Sequence, residues 1–217
     1  MKDKLIVNIN TNFRNAKRKV NLTFNNNINI GEITGLYGAS GVGKSSLLKV
    51  ISGLIIPNSG TITYNDKVWY SKLSKTHLPP KDRLVAVVFQ DYNLFPNMTI
   101  KNNIIYASKS KSINDLAQRL ITELKIDDFI NEYPKNLSGG QKQRAAIIRA
   151  IAQESKTILM DEPFSALDDN ITFQLINIIK ELNLKHKLTF IISSHRKDLL
   201  KNLTNNIIHL KENETFK

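Results

Sequence analysis

Short apolar runs separated by polar or glycine-containing turns organise most of the 217-residue chain. Residues 5–9 and 20–24 partly alternate between apolar and polar types around a basic turn, which predicts an antiparallel pair of strands. A turn is expected at 25–31 and a further strand at 61–64. Runs rich in apolar residues, typical of strands buried in a sheet, occur at 33–37, 84–89, 156–160 and 188–192, and a last strand is expected at 206–210.

Helical spacing dominates the middle of the chain. Apolar residues recur every three or four positions at 98–106, 113–124 and 145–152, and again at 173–182. The change of period after residue 90 predicts a helical insertion of roughly 60 residues between strands of one sheet.

A glycine-rich segment joins the strand at 33–37 to a predicted helix at 46–51. It reads Gly38, Ala39, Ser40, Gly41, Val42, Gly43, Lys44, Ser45, which matches the phosphate-loop pattern G-x-x-x-x-G-K-[ST] in its required strand–helix context. Glycines let successive N–H groups turn toward a phosphate at a helix N-terminus. Lys44 is predicted to reach the β- and γ-phosphates, Ser45 to offer its hydroxyl to Mg²⁺, and Ser46 to follow in the same binding segment. ATP with Mg²⁺ is the expected ligand.

Polar residues follow three of the buried strands. Gln90 can coordinate Mg²⁺ or orient a water, Asp161 can hold hydrated Mg²⁺, and Glu162 can polarise an attacking water. His195 is a candidate sensor of the γ-phosphate. Open α/β sheets place their ligands at such strand ends, so these residues are expected to face one crevice.

A second helix start has the character of an anion site. Ser138 is a good N-cap, and the glycines after it leave backbone amides open; the segment reads Ser138, Gly139, Gly140, Gln141. Phe13, expected in the connection between the first two strands, has two interpretations: stacking on adenine or packing within the hairpin.

Composition narrows the class of protein. The chain contains no cysteine, which excludes a disulfide framework, a thiolate zinc site and a cysteine nucleophile. No apolar run reaches the roughly 18 residues of a membrane span, and no signal peptide is expected. The net charge of +12 is scattered, so either a lysine-rich composition or work beside an anionic membrane explains it. The densest basic cluster has no interleaved aromatic residues, and no nucleic-acid partner is expected; it comprises Arg14, Lys17, Arg18 and Lys19.

With the phosphate loop, Gln90, 137–141, Asp161–Glu162, 165–168 and His195 in this order, the chain resembles the nucleotide-binding subunit of ABC transporters over essentially its whole length. The resemblance implies an α/β, RecA-like phosphate-loop NTPase core of mostly parallel sheet, with an N-terminal antiparallel β subdomain and a helical subdomain insertion. Residues 1–217 are then one domain: 1–90 and 156–217 form the nucleotide-binding core with the β subdomain, and 91–155 the helical subdomain.

The same resemblance implies an ATPase that works as a head-to-tail homodimer. ATP lies between 38–45 of one copy and 138–141 of the other, and Asp168 helps join the two sites. Glu162 is the general base, Lys44 and His195 contact phosphates, and Gln90 links the nucleotide to transmembrane permease subunits. Ser45, Gln90 and Asp161 hold Mg²⁺. The expected location is peripheral, on the cytoplasmic face of the membrane, with a solute-binding protein as an indirect partner.

Three segments resemble the sequences of oxyanion import cassettes, and of molybdate cassettes in particular: Pro80-Lys81-Asp82-Arg83, residues 90–100 and residues 161–168. Sulfate, iron(III) and polyamine importers share much of it, and an exporter or a non-transport cell-division or nucleic-acid system are the alternatives. A GTPase would need an Asn/Thr-Lys-x-Asp motif, and none is present. The chain departs from the pattern at Arg196, where an acidic residue is usual, and it is expected to lack the C-terminal regulatory domain of molybdate cassettes.

Overall fold

The computed structural model describes residues 3–14, 19–109 and 112–211. Its strands, in chain order, are β1 (Lys4–Arg14), β2 (Lys19–Asn29), β3 (Ile33–Tyr37), β4 (Ser59–Tyr64), β5 (Lys67–Ser71), β6 (Thr76–His77), β7 (Val85–Val88), β8 (Thr157–Asp161), β9 (Thr189–Ser194) and β10 (Ile207–His209). They form an antiparallel sheet of order β2-β1-β4-β5-β6 and a parallel sheet of order β10-β3-β9-β8-β7.

The helices are α1 (Lys44–Ser52), α2 (Ile100–Ala107), α3 (Asp115–Glu123), α4 (Gly139–Ala152), α5 (Asp169–His186) and α6 (Lys197–Leu203). Single 3₁₀ turns lie at Pro80–Asp82, Asp127–Phe129 and Pro134–Asn136. Within the described ranges, no helix is both long and apolar enough to cross a membrane.

The three inner strands of the parallel sheet, β3, β9 and β8, are buried on both faces, as their apolar runs predict. The outer strands β7 and β10 are partly exposed. Successive side chains of a strand point to opposite faces: Ile158 and Met160 of β8 join the core beneath α2 to α6, while Leu159 joins the core shared with α1 and the antiparallel sheet. The fold class expected from the sequence, a parallel phosphate-loop core with an antiparallel β part and helices between β7 and β8, is confirmed.

The N-terminal hairpin differs from its expected form. Strand β2 continues through the expected turn at 25–31 as far as Asn29, because residues 25–29 pair with residues 8–4 of β1. Phe13 lies within β1, opposite Val20, and not in the connection. Cross-strand pairing overrides the weak β-propensity of asparagine here. Lys17 and Arg18 of the basic cluster lie outside the described residues.

Candidate functional site

The carboxyl ends of β3, β9, β8 and β7 meet at one edge of the parallel sheet, because these strands are neighbours in that order. The phosphate loop follows β3, and His195, Glu162 and Gln90 follow β9, β8 and β7. These residues share a cleft of about 200 Å³ lined by Phe13, Ser40, Gly41, Gly43, Lys44, Ser45, Ser46, Gln90, Glu162, Ser165 and His195. The structure therefore brings most of the predicted site residues together.

The phosphate loop presents an open helix start to this cleft. Gly43, with φ 107°, is the N-cap of α1, and no side chain caps the helix. The first amides of a helix have no partner within the helix, and its dipole favours an anion there. Lys44, 6% exposed, donates from Nζ to the carbonyl oxygens of Gly38 at 2.8 Å and Ala39 at 3.1 Å. An uncapped helix beside a nearly buried ammonium is a site suited to phosphate.

Glu162 is held between Lys44 and His195. Its backbone is left-handed, with φ 48°, and its N–H donates to the carbonyl (3.2 Å) and Oγ (3.1 Å) of Ser193. The carboxylate places Oε1 3.5 Å from Lys44 Nζ and Oε2 3.0 Å from His195 Nδ1. A non-glycine residue in this backbone region is held there by its surroundings, a common feature of functional sites.

Asp161 lies behind Glu162 at the end of β8. It is 5% exposed and accepts a hydrogen bond from Ser193 Oγ at 2.7 Å. It is not among the described residues that line the cleft, whereas Ser45 and Gln90 are. Carboxylate, amide and hydroxyl oxygens are the hard donors that Mg²⁺ prefers, so this donor set fits that ion. Ser193, which supports both acidic residues, was not predicted; the one signal in the sequence is its place at a strand end beside His195.

Phe13 packs against the phosphate loop. A Cβ placed on Gly43 would lie 2.8 Å from its Cζ, and the φ of 107° at Gly43 is one that residues with a side chain rarely adopt. The ring is partly exposed and lines the cleft. Its packing role is thus observed, and adenine stacking stays a prediction.

The second predicted anion site lies elsewhere on the chain. Ser138 caps α4 through a reciprocal capping box with Gln141, and Ser138 and Gly139 are exposed. A Cβ on Gly140 would lie 2.7 Å from the carbonyl oxygen of Ala166. None of the residues 138–141 is among the described residues that line the phosphate-loop cleft. Within one chain the two anion sites are therefore separate.

Asp168 also lies outside the cleft. It is the N-cap of α5, where its Oδ1 accepts from Ile171 N at 2.9 Å. It lines a different cavity with Lys125 and Arg144. The structure of a single chain does not test the predicted part of Asp168 in joining two sites, and its role as the N-cap of α5 was not predicted.

A second, larger groove of about 490 Å³ opens beside α2 and α4. Its lining includes exposed apolar side chains, Leu54, Leu84, Phe95 and Tyr106, together with the nearly buried Arg149. Such an exposed apolar surface is typical of a contact site for another protein.

The sequence matches the model of a known protein family. A model of the family described as ABC transporter matches residues 21–165. The methionine import ATP-binding protein of Streptococcus agalactiae is 36% identical over 210 aligned residues, and the match covers 92% of this chain and 59% of that protein. The chain thus spans about three-fifths of that relative's length.

The names of two further relatives contain other substrates. A probable sulfate/thiosulfate import ATP-binding protein of Chlorella vulgaris is 38% identical over 198 residues, covering 88% of this chain and 80% of that protein. The molybdenum import ATP-binding protein of Aliivibrio fischeri is 37% identical over 183 residues, covering 83% and 49%.

The fold also matches a solved structure. The ATP-binding cassette MJ0796, in a dimeric post-hydrolysis state bound to ADP and Pi, superposes with a TM-score of 0.79 at 28% identity, covering 96% of this chain and 94% of that one.

Proposed function

The chain belongs to the ABC transporter family, and we propose that it is the ATP-binding and ATP-hydrolysing subunit of a solute importer. The observation that carries this proposal is the cleft at the strand ends, where Lys44, Glu162 and His195 are linked by contacts of 3.5 and 3.0 Å beside an uncapped helix start. A cation that binds phosphate, a carboxylate that can take a proton from water and an imidazole at one phosphate site suit the hydrolysis of a phosphoanhydride.

Each cleft residue has a role in this proposal. Lys44 and residues 38–46 bind the phosphates, Glu162 accepts the proton of the attacking water, and His195, held by Glu162 at 3.0 Å, contacts the γ-phosphate. Ser45, Gln90 and Asp161 would hold Mg²⁺, which neutralises charge on the phosphates when it is bound. The carboxylate is positioned for this work because Ser193 fixes the Glu162 backbone.

The complete site requires a second copy of the chain. Ser138 and Gly139 are exposed, and none of the residues 138–141 is among the described residues that line the cleft of the same chain. We place residues 138–141 of one copy on the ATP bound at 38–45 of the other, with Asp168 near the junction. The solved cassette MJ0796, which is dimeric, supports this arrangement.

The permease is the proposed partner at the large groove. Phe95, 40% exposed, and Tyr106, 66% exposed, form an edge-to-face pair with ring centroids 4.9 Å apart. An amphipathic cytoplasmic helix of a permease subunit fits such a groove by burying its apolar face. The subunit is then peripheral, on the cytoplasmic face of the membrane, with a solute-binding protein as an indirect partner.

For the solute we propose an oxyanion, molybdate in particular, because residues 80–83 and 90–100 resemble the sequences of oxyanion import cassettes. The names of the relatives given above are those of importers of methionine, sulfate/thiosulfate and molybdenum, so methionine and sulfate are the alternative solutes. Uptake of labelled molybdate, sulfate and methionine by cells with and without this gene separates them. Loss of methionine uptake alone would contradict the molybdate proposal.

ATP turnover by the purified protein tests the activity itself. Lys44→Ala should lose ATP binding, whereas Glu162→Gln should bind ATP, stop hydrolysis and accumulate a dimer visible by light scattering. Unchanged turnover in Glu162→Gln would remove Glu162 as the general base. ATP affinity at the wild-type level in Lys44→Ala would overturn the phosphate-loop assignment.

A further inference from the structure

The loop after Gln90 contains two consecutive non-glycine residues with a left-handed backbone. Tyr92 has φ 63° and Asn93 has φ 47°, and a side chain as bulky as tyrosine adopts this conformation only where its surroundings hold it. The loop connects two sites, because Gln90 lines the phosphate cleft and Phe95 lines the large groove. The strained pair therefore lies between ATP and the proposed permease contact.

One guanidinium holds both carbonyls of this pair. Arg149, in the last turn of α4, donates from Nη1 to Asn93 O at 2.5 Å and from Nη2 to Tyr92 O at 3.1 Å. The residue is 7% exposed, burial lowers its pKa, and its Cζ lies 5.6 Å from the ring centroid of Phe95. The planar fork of arginine suits two adjacent acceptors, and lysine cannot reproduce it.

The other end of the loop is fixed independently. Asn103 is fully buried; its Oδ1 accepts from Phe95 N at 2.8 Å, and its Nδ2 donates to carbonyls that include Phe95 O at 3.2 Å. Arg149 thus fixes the half of the loop next to Gln90. Tyr92 also reaches the start of α4, since its hydroxyl lies 3.1 Å from where a Cβ on Gly139 would be.

We propose that Arg149 is a positioning residue for Gln90. It holds Tyr92 and Asn93 in their left-handed conformation, so that Gln90 enters the cleft in one position, and it joins that position to the ring of Phe95 and to α4. Arg149 is not among the described residues that line the cleft, so it acts through the loop backbone. The inference rests on the proposed function, ATP hydrolysis in the cleft.

Hydrogen–deuterium exchange on the whole protein tests the positioning without requiring activity. The variant is Arg149→Lys, and the matched control is Arg144→Lys on the same helix. Arg144 likewise donates to two backbone carbonyls, Leu124 O at 2.7 Å and Lys125 O at 3.1 Å, and lies 5.1 Å from the ring centroid of Phe129.

Arg149→Lys should speed exchange of the Tyr92 and Asn93 amides, which donate to Phe89 O and Asp91 O, by at least about tenfold, the equivalent of one charge-assisted hydrogen bond, with α4 still protected. Arg144→Lys should leave both amides unchanged. Equal exchange of the two amides in the wild type and Arg149→Lys, or equal acceleration in both variants, would overturn the proposal.

A double-mutant cycle on ATP turnover gives the second readout. Arg149→Lys should lower kcat about tenfold or more and change KM for ATP by no more than about twofold. In the double variant, Arg149→Lys should add no further loss of kcat to that caused by Gln90→Ala, because the effects of substitutions at residues that act as one unit are not additive. Independent, additive losses would exclude action through Gln90. A wild type without ATP turnover would refute the proposed function instead, and the exchange measurement alone would then decide on Arg149.

Discussion

Replacing Gly140 with alanine tests how closely the start of α4 packs on the segment before α5. A Cβ on Gly140 would lie 2.7 Å from the carbonyl oxygen of Ala166, a backbone atom that cannot move alone. The adjacent Gly139 is a matched control, because its Cβ would lie 3.1 Å from the hydroxyl oxygen of Tyr92, at the end of a side chain. The two substitutions are chemically identical, lie in the same turn and differ in what they meet.

The two variants should differ in the sign of their effect on stability. Alanine in place of a helical glycine gains up to about 1 kcal/mol, while overpacking against backbone costs about 1–3 kcal/mol. Gly140→Ala should therefore lose about 1 kcal/mol net, and Gly139→Ala should gain between zero and about 0.5 kcal/mol.

Urea denaturation at neutral pH without nucleotide measures both variants, with an unchanged m-value as the check that only stability has changed. For a chain of this size a 1 kcal/mol loss corresponds to a fall in Tm of about 2–4 °C. A Gly140→Ala protein as stable as the wild type would refute the close packing of α4 on Ala166. A loss of equal size in both variants would show that the shared helix start, and not the contact with Ala166, sets the cost.

Two further predictions concern stability. Arg83, 3% exposed, donates hydrogen bonds to four backbone carbonyls of the same chain, those of Val50 and Ile51 in α1 and those of Trp69 and Leu78. Arg83→Met leaves these carbonyls without their donor and should lower the free energy of unfolding, measured by urea denaturation, by about 3 kcal/mol. Arg83→Lys should recover part of this loss, and a loss below about 1 kcal/mol in Arg83→Met would contradict the role. Hydrogen bonds from Arg119 and Lys185 lower the pKa of Glu181 from 4.5 to about 2, so its stabilisation is present above pH 4.5 and is lost as pH falls toward 2. The Tm difference between wild type and Glu181→Gln should close over that range, and a difference that persists at pH 2 would exclude this linkage.

The grouping of the cleft residues was predictable from sequence where the signals are local. The phosphate loop, Glu162 and His195 each follow a continuous apolar run, and a parallel sheet brings the ends of such runs to one edge. The residues that hold the site in place were not predictable in this way. Arg149 acts on backbone carbonyls 56 and 57 residues earlier in the chain, and a backbone acceptor leaves no mark in a sequence.

The missed elements have similar causes. Strands β5 and β6 are short and lack alternation, and α6 has seven residues and no side-chain N-cap bond. The extension of β1 to Arg14, which places Phe13 in a strand, depends on its pairing with β2 and not on its own sequence. Long-range pairing therefore decided what local propensity left open.

The central claim is that the ATP site is completed by residues 138–141 of a second copy, and cysteine cross-linking tests it directly. The chain has no native cysteine, so Ala39→Cys in one preparation and Ser138→Cys in another, both carrying Glu162→Gln, can be mixed and treated with a short bifunctional thiol reagent. A cross-link between two chains should form with ATP and not with ADP or without nucleotide. No inter-chain product under any nucleotide condition, with both cysteine variants still binding ATP, would contradict a site shared between two copies.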